Sequence, residues 1–270
     1  MLQTDAELAV RAAHAGAGVV RALYGGPLER FAKSAHDFAT EADVASERAI
    51  MAVLREARPQ DGFVGEELGA AGNANSDRSW LVDPLCGTLN YAARTPLVAV
   101  NVALRVGVGV GGGVAAAASA DPFSAEVFWT DGRAAYVRSG GHDRPLAPDP
   151  ANRLVDVNLD PPFPNRDRFR AGRLLEDEAF TDSFRPRVMS TTLALAWVAA
   201  GRRAAYVTDG RLRDSVHFSS GIALCQAAGC VVTNLAGEPL HSGAQGLVAA
   251  ADATTHAELI GIVARHGVGL

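Results

Sequence analysis

The chain has 270 residues, of which 48% are hydrophobic and 20% are charged, a composition typical of a folded globular protein. Its length allows one large domain or two modest ones. The 25 basic residues are outnumbered by 30 acidic residues, which gives a net charge of −5. Bulk charge of this sign argues against binding to nucleic acid or to an acidic membrane, and we expect neither partner.

The cysteines and the first residues of the chain indicate the cellular compartment in which the protein works. Cys86, Cys225 and Cys230 are an odd number at spacings that suggest neither a disulfide framework nor a zinc motif. The first residues lack the basic start and apolar run of a signal peptide. The most apolar stretch, residues 97–118, is interrupted by polar residues and glycines, which argues against a membrane span. We therefore expect a cytoplasmic protein.

The first half of the chain combines capped helices with short strands. Thr4-x-x-Glu7 and Thr40-x-x-Asp43 match the helix-capping box, in which the cap residue and the third helical residue bond each other's backbone. They predict helices from Thr4 to about Leu23 and from Thr40 to a point before Pro59. Strands are predicted at 63–65 and 80–82, as a pair within 97–114, and as a hairpin of 126–129 with 134–137.

The second half alternates helices and strands. Residues 140–164 are rich in Pro, Asp, Asn and Gly and predict a boundary between an N-terminal α+β half, residues 1–145, and a C-terminal α/β half, residues 150–270. Hairpins followed by alternating elements indicate a mixed α/β, or α+β, layered fold. After the boundary we expect helices at 190–200, 219–228 and 254–265, and strands at 204–207 and 230–233.

Three polar clusters stand where a strand ends or a helix begins. They are residues 37–43, Gly65 to Glu67, and residues 83–91, which read DPLCGTLNY. Each alone has a structural explanation as a helix cap or a turn. Carboxylates that converge from loops beyond strand ends can hold Mg²⁺, and two such ions can grip a phosphate group. The three clusters together therefore indicate a metal-dependent phosphate site.

These clusters, in this order, resemble the motifs of the inositol monophosphatase family. The resemblance covers most of the chain and includes the segments 197–201 (WVAAG) and 237–240 (GEPL). It implies a layered α-β-α-β-α sandwich, a homodimer, and Mg²⁺-dependent hydrolysis of small phosphomonoesters.

The resemblance also implies roles for individual residues. Glu66, Asp83 and the backbone carbonyl of Leu85 would hold a metal ion. Thr88, which also keeps its place at this first metal site, and Asp43 would orient the attacking water. Lys33 is the only lysine in the chain and stands near a position where many family members carry a lysine. The residues expected to contact the substrate are Gly87, Thr88, Lys33 and Asp214.

Two positions depart from the family pattern. Cys86 and His217 stand where family members carry aspartates that resemble the ligands of a second metal ion. A neutral thiol and an imidazole remove about two negative charges, and cysteine is a poor ligand for the hard ion Mg²⁺. We therefore expect one ion at most. Loss of several kcal/mol of charge stabilisation would slow hydrolysis by roughly three orders of magnitude or more.

Three functional hypotheses follow. The leading one is an enzyme repurposed for different chemistry on a small molecule, for example in specialised metabolism. In it His217 is the acid or base, Asp83 and Glu66 orient it, and Cys86 is a nucleophile or a wall residue. The alternative is a phosphomonoesterase of sugar or inositol phosphates with a reduced metal site. One variant of that alternative places a zinc-like ion among Glu66, Asp83, Cys86 and His217, although their spacing matches no zinc motif. The second alternative is a non-catalytic relative that binds a ligand or a partner chain.

Overall fold

The structure is a computed structural model that describes residues 3–34, 38–73, 75–107, 112–165, 168–213 and 215–267. The chain divides into two compact units. Unit 1 comprises Met1–Pro145, Thr191–Leu193 and Val216–Leu224, and unit 2 comprises Leu146–Ser190, Ala194–Ser215 and Cys225–Leu270. Unit 1 thus combines residues 1–145, the span of the predicted N-terminal half, with two short later segments.

Unit 1 contains two long helices, α1 (Asp5–Leu23) and α2 (Glu41–Ala57), and one short helix, α3 (Thr88–Ala92). The Thr4 side chain accepts a hydrogen bond from the Glu7 backbone N–H, and Thr40 and Asp43 form a complete capping box. Both predicted helix starts are therefore confirmed. Helix α2 ends at Ala57, just before Pro59, as expected.

The strands of unit 1 form two sheets. A two-stranded sheet pairs β1 (Arg30–Ala32) with β2 (Phe38–Thr40). An eight-stranded sheet has the order β10-β9-β8-β7-β6-β5-β3-β4, and all its pairs are antiparallel except β3 with β5. Its strands are β3 (Gly62–Gly65), β4 (Gly69–Gly72), β5 (Arg78–Cys86), β6 (Ala99–Val106), β7 (Gly113–Ala120), β8 (Val127–Thr130), β9 (Ala135–Ser139) and β10 (His142–Pro145).

The two faces of the eight-stranded sheet differ in chemistry. Helices α1 and α2 pack against each other and against one face, where Trp80 and Val82 are fully or almost fully buried. Because side chains alternate along a strand, Leu81 and Asp83 point to the opposite face. There Leu81 contacts a smaller cluster that includes Ala223. The strand alternation thus sends Asp83 away from the main apolar core.

Unit 2 contains a five-stranded sheet with the order β12-β11-β13-β15-β14. Strand β11 lies inside residues 140–164, a stretch in which the sequence analysis predicted a domain boundary and no strand. The strands are β11 (Leu154–Asn158), β12 (Arg185–Val188), β13 (Ala205–Thr208), β14 (Val231–Thr233) and β15 (Leu247–Ala250). The helices are a 3-10 helix (Ala171–Glu176), α4 (Glu178–Ser183) and α7 (Ala253–Ala264).

Two further helices, α5 (Leu193–Ala199) and α6 (Ser219–Ala227), begin in unit 1 segments and end in unit 2 segments. Both were predicted, with α5 expected to start three residues earlier. Within the described part of the chain, no helix combines the length and the apolar character that a membrane crossing requires.

Candidate active site

Two parallel strands bring the first pair of carboxylates together. In the β3–β5 ladder Gly65 is paired with Val82, so Glu66 and Asp83 each follow directly after paired residues. The Glu66 backbone N–H donates to the Val82 carbonyl over 3.1 Å, which extends this register by one residue. Neighbouring parallel strands end at the same edge of a sheet, and this is why two distant motifs meet here.

Asp83 is fully buried and held on both oxygens. Its Oδ1 accepts the Leu85 backbone N–H over 3.2 Å, and its Oδ2 lies 2.8 Å from His217 Nδ1. The same His217 nitrogen lies 3.8 Å from Glu66 Oε2. Burial alone lowers the pKa of His217, but the charge and hydrogen bond of Asp83 raise it to about 12. The imidazole is therefore a cation across the neutral range.

Lys33 supplies a second cation to the cluster. Its Nζ donates to Glu66 over 2.8 Å and to Glu67 over 2.5 Å. Burial lowers the pKa of Lys33, but these two glutamates raise it well above its usual range. Burial and the nearby Asp83 charge raise the pKa of Glu66 to about 8. Burial is the largest cause of this shift and the charge of Asp83 adds to it, whereas His217 and Lys33 act in the opposite direction.

Thr88 and Asp43 form the other half of the site. Thr88 Oγ1 lies 2.9 Å from Asp43 Oδ1 and 3.2 Å from the Leu85 carbonyl. Asp43 Oδ2 accepts both the backbone N–H and the hydroxyl of Thr40, which fixes the carboxylate at the start of α2. Burial raises the pKa of Asp43, while the hydrogen bonds from Thr40 and Thr88 act against that rise. Because the Thr88 hydroxyl donates its hydrogen to Asp43, its lone pairs point away from this carboxylate.

Cys86 lies where the β5–β6 register shifts, three residues after Asp83. Its Sγ accepts the backbone N–H of Thr192 over 3.3 Å and the Thr192 hydroxyl over 3.1 Å. Burial and the charge of Asp83 raise the pKa of the Cys86 thiol to about 11. The thiol is thus neutral at pH 7 and is a weak nucleophile in this state.

The structure brings together most of the predicted site residues. The residues that lie within this site are Lys33, Asp43, Glu66, Asp83, Leu85, Cys86, Gly87, Thr88 and His217. Gly87 precedes α3 with a φ of 106°, a left-handed conformation that suits glycine. Asp214 and Asp37 were also singled out from the sequence, and both lie outside the described residues.

The sequence analysis missed two supports of the site. Glu47 accepts the backbone N–H groups of Glu67 and Leu68 over 2.8 and 2.9 Å, and so shapes the loop that carries Glu66. A Cβ atom added to Gly65 would overlap the Glu47 carboxylate, so this close approach requires glycine. The spacing of Glu47 four residues after Asp43, on the same face of α2, was an available signal.

The second support is a buried network of polar side chains behind Asp83. Asn101 donates to Thr192 Oγ1 over 2.8 Å and lies 3.5 Å from Asp83 Oδ2. Ser119 and Ser220 both donate to the Asn101 side-chain oxygen, over 2.7 and 3.0 Å. A polar residue at 101 inside an apolar strand was the signal for this network, because a buried amide needs partners.

The site has two parts that differ in the kind of donor atom they offer to a metal ion. Glu66, Asp83, the Leu85 carbonyl and the Thr88 hydroxyl are hard oxygen donors, which suit one Mg²⁺ ion. The charge of Asp83, which adds to the effect of burial in raising the pKa of Glu66, is one that a bound cation would offset. Cys86 and His217 offer sulfur and nitrogen instead, and these donors do not suit a second Mg²⁺.

Parallel strand ends that gather carboxylates beside a hydroxyl–carboxylate pair define a metal-dependent hydrolase type of site. Comparison with known proteins agrees with this class. The model of the inositol monophosphatase family matches residues 1–267. The chain therefore belongs to the inositol monophosphatase family.

Individual relatives are similar over most of their length. An inositol-1-monophosphatase of Caulobacter vibrioides is 30% identical over 75% of this chain and 78% of its own sequence. The Nus factor SuhB of Salmonella typhimurium is 33% identical over 85% of each chain. The crystal structure of the extragenic suppressor protein suhB from Bartonella henselae matches 97% of this chain and 98% of that chain, with a TM-score of 0.80 and 24% identity. These matches confirm the predicted family and the mixed α/β fold class.

Proposed function

We propose that the chain is an enzyme that hydrolyses a small phosphomonoester, with His217 as the acid that protonates the leaving oxygen. One observation carries the proposal. Two hydrogen-bonded pairs belong to the same carboxylate cluster. Thr88 Oγ1 lies 2.9 Å from Asp43 Oδ1, and His217 Nδ1 lies 2.8 Å from Asp83 Oδ2. A water-orienting pair and a proton donor on one site are the two parts that ester hydrolysis requires.

The Thr88–Asp43 pair prepares the nucleophile. The Thr88 hydroxyl points its hydrogen to Asp43 or to the Leu85 carbonyl, so its lone pairs accept a hydrogen from water. This arrangement orients the water oxygen toward the phosphorus atom. Because Asp43 is fixed by Thr40 and fully buried, the orientation is set before the substrate binds.

His217 acts at the other end of the breaking bond. As a cation held by Asp83, it can give its proton to the ester oxygen while the phosphorus–oxygen bond breaks. Its side chain is 43% exposed, so a substrate can reach it. In this role the imidazolium supplies positive charge where a second ion would otherwise act.

One Mg²⁺ at most is proposed as the cofactor. Glu66, Asp83 and the Leu85 carbonyl would hold it, and it would polarise the phosphate oxygens when bound. Lys33 keeps Glu66 and Glu67 paired and so limits the repulsion between the carboxylates. Gly87, Thr88 and Lys33 are proposed to contact the phosphate group of the substrate.

Several sequence predictions remain proposals at this point. They are the cytoplasmic location, the homodimer and the absence of a nucleic-acid partner. The relative named Nus factor SuhB makes the last of these the most worthwhile to test. Gel-shift titration with RNA and analytical ultracentrifugation of the full chain address nucleic-acid binding and assembly separately.

The test is phosphate release from a panel of sugar and inositol phosphates, with and without Mg²⁺. We expect release that depends on Mg²⁺ and that falls at least about 100-fold in Thr88→Val. Thr130→Val is a control for the loss of a threonine hydroxyl outside the site, since Thr130 is buried and its hydrogen bonds among the described residues lie within a hairpin turn. Release that persists unchanged in Thr88→Val contradicts the proposed role of the hydroxyl.

A second candidate function is favoured by the donor types at Cys86 and His217. A site that has thiol and imidazole in place of two carboxylates suits chemistry other than phosphate hydrolysis, such as proton transfer on a small molecule. Correctly folded protein that releases no phosphate from any member of the panel supports this repurposed enzyme or a non-catalytic relative. Binding of the same phosphates without turnover would favour the non-catalytic relative.

A further inference from the structure

Three different ligand types meet beside the oxygen donors. One ligand atom from each of Asp83, Cys86 and His217 lies within 4.8 Å of the other two. Among the described residues, this is the one such group of three or more His, Cys, Asp or Glu side chains. A carboxylate, a thiol and an imidazole are the donor types that bind Zn²⁺ and related ions in proteins.

We propose that Asp83, Cys86 and His217 form a binding site for a thiophilic divalent ion of the Zn²⁺ class. Soft thiolate and borderline imidazole donors select such ions against Mg²⁺. The coordinated thiol gives up its proton to solvent on binding, because a bound ion deprotonates its own thiol ligand. The raised thiol pKa of the metal-free form is therefore compatible with ligation.

The carboxylate and imidazole ligand atoms lie slightly closer together than in a tetrahedral zinc site, and the Cys86 Sγ lies within 4.8 Å of both. Bond lengths of about 2.0 Å to oxygen and nitrogen place two such ligands about 3.3 Å apart. Asp83 Oδ2 and His217 Nδ1 are 2.8 Å apart, a distance set by the proton between them. Replacement of that proton by an ion requires an opening of about half an ångström, which a partly exposed imidazole can supply.

Neighbouring hydrogen-bond donors orient the proposed ligand atoms, as they commonly do around metal sites. Thr192 aims its N–H and its hydroxyl at Cys86 Sγ, and these two donors stabilise a thiolate. The Leu85 N–H holds the other oxygen of Asp83. Partners of this kind fix ligand orientation and typically contribute about 10- to 100-fold in metal affinity.

An ion can enter the site and leave room for a fourth ligand. The exposed side of the His217 ring gives access from solvent. Three protein ligands leave the fourth tetrahedral position to water or to an oxygen of a substrate, which is the arrangement of catalytic rather than structural zinc sites. Glu66 Oε2 lies 3.8 Å from His217 Nδ1 and places a further negative charge beside the ion.

This inference does not depend on the proposed function. The ion and the proton between Asp83 and His217 compete for the same position, so metal-loaded protein would lack the proton donor at His217. Metal binding is measurable by spectroscopy without any substrate. Failure of one proposal therefore leaves the other standing.

The test is titration of the full-length, metal-free protein with Co²⁺, followed by near-ultraviolet and visible absorption. We expect one equivalent of Co²⁺ to produce a thiolate-to-cobalt charge-transfer band and the visible bands of a four-coordinate ion. Zn²⁺ should abolish both, and about a thousandfold excess of Mg²⁺ should leave them in place.

Variants assign the band to the three residues. Cys86→Ser should remove the charge-transfer band and weaken Co²⁺ binding by about 100-fold, and Thr192→Val should weaken it by about 10-fold. Cys230→Ser is the matched control, because Cys230 is another partly exposed thiol. Circular dichroism checks that each variant is folded, and Cys86→Ala replaces Cys86→Ser if the serine variant fails this check.

Three outcomes overturn the proposal. They are a folded wild type that shows no charge-transfer band, a band that survives in Cys86→Ser, and displacement of Co²⁺ by Mg²⁺ at comparable concentration. Loss of the band in Cys230→Ser but not in Cys86→Ser would likewise assign the thiolate to the other cysteine and reject the site.

Discussion

The protein contains two histidine–aspartate pairs of almost the same length, and they have different surroundings. In unit 1, His217 Nδ1 lies 2.8 Å from Asp83 Oδ2, with Glu66 and Cys86 close by. In unit 2, His266 Nε2 lies 2.9 Å from Asp177 Oδ2. A short histidine–aspartate contact therefore does not by itself indicate an active site.

The difference lies in what else each aspartate does. Asp177 is the N-cap of α4, where its side chain accepts the Phe180 N–H over 3.0 Å, and it also pairs with Arg265. Although burial opposes the change, these hydrogen bonds lower the pKa of Asp177. Asp83 caps no helix, is fully buried, and adds its charge to a cluster of carboxylates. The Asp177–His266 pair therefore belongs to a helix cap, whereas the Asp83–His217 pair belongs to a cluster of titratable groups.

The largest expected effect comes from replacing each of the two histidines separately by glutamine. His217→Gln keeps a polar side chain but removes the proton donor, and we expect phosphate release to fall by about 10²- to 10⁴-fold. His266→Gln should leave the rate unchanged, because its partner serves as a helix cap. Equal losses in both variants, measured as kcat on the same substrate, would remove the distinction between the pairs.

The loop that carries Glu66 offers the next test. In Gly65→Ala the new methyl group overlaps the Glu47 carboxylate, which holds two backbone N–H groups of this loop. We expect a loss of about 1–3 kcal/mol in the free energy of unfolding, measured by urea titration. Gly18→Ala, in open space on α1, should be neutral or stabilising by about 0.5–1 kcal/mol. A Gly65→Ala protein as stable as wild type would show that the approach is not tight.

A third aspartate, Asp209, extends the comparison to a buried acid with few hydrogen-bond partners. Among the described residues, Asp209 Oδ2 has no hydrogen-bond partner, and only Asn165 holds Oδ1. Burial raises the pKa of Asp209 to about 6 from 3.8. The folded state therefore binds the proton more tightly, and stability falls as the pH rises from about 4 to 6.

The corresponding variant is Asp209→Asn. This variant should lose roughly 1 to 2 kcal/mol less of its free energy of unfolding than the wild type as the pH rises. Its melting temperature should therefore change less between pH 4 and pH 7. The check is the difference between the two pH profiles, since other carboxyl groups contribute equally to both. Parallel profiles would mean that Asp209 titrates as an ordinary acid.

The smallest expected effect concerns the helix cap. Asp177→Ala removes the acceptor for the Phe180 N–H and should cost about 1 kcal/mol in the free energy of unfolding. Asp177→Asn keeps a good cap and loses only exposed charge pairs, so its cost should be smaller. Neither variant should alter phosphate release. A slower rate in Asp177→Asn would indicate that this pair, too, influences the reaction.

Local sequence patterns predicted the capped helices and most of the site. The reason is that the capping boxes and the clusters around Glu66 and Asp83 are short and continuous in the chain. Strand β11 was missed because its buried Asp156 is polar and forms its ion pair with Arg203, which lies 47 residues away. Glu47 and Asn101 were missed for a similar reason, since their partners come from distant segments.

The parallel β3–β5 register has a consequence for how such a chain can evolve. The register of β3 and β5 sets the positions of Glu66 and Asp83, whereas Cys86 follows a register shift at the end of β5 and His217 comes from a later segment of the chain. If the proposed ligand assignment holds, substitutions at these two positions alone change the preferred cation without a new fold.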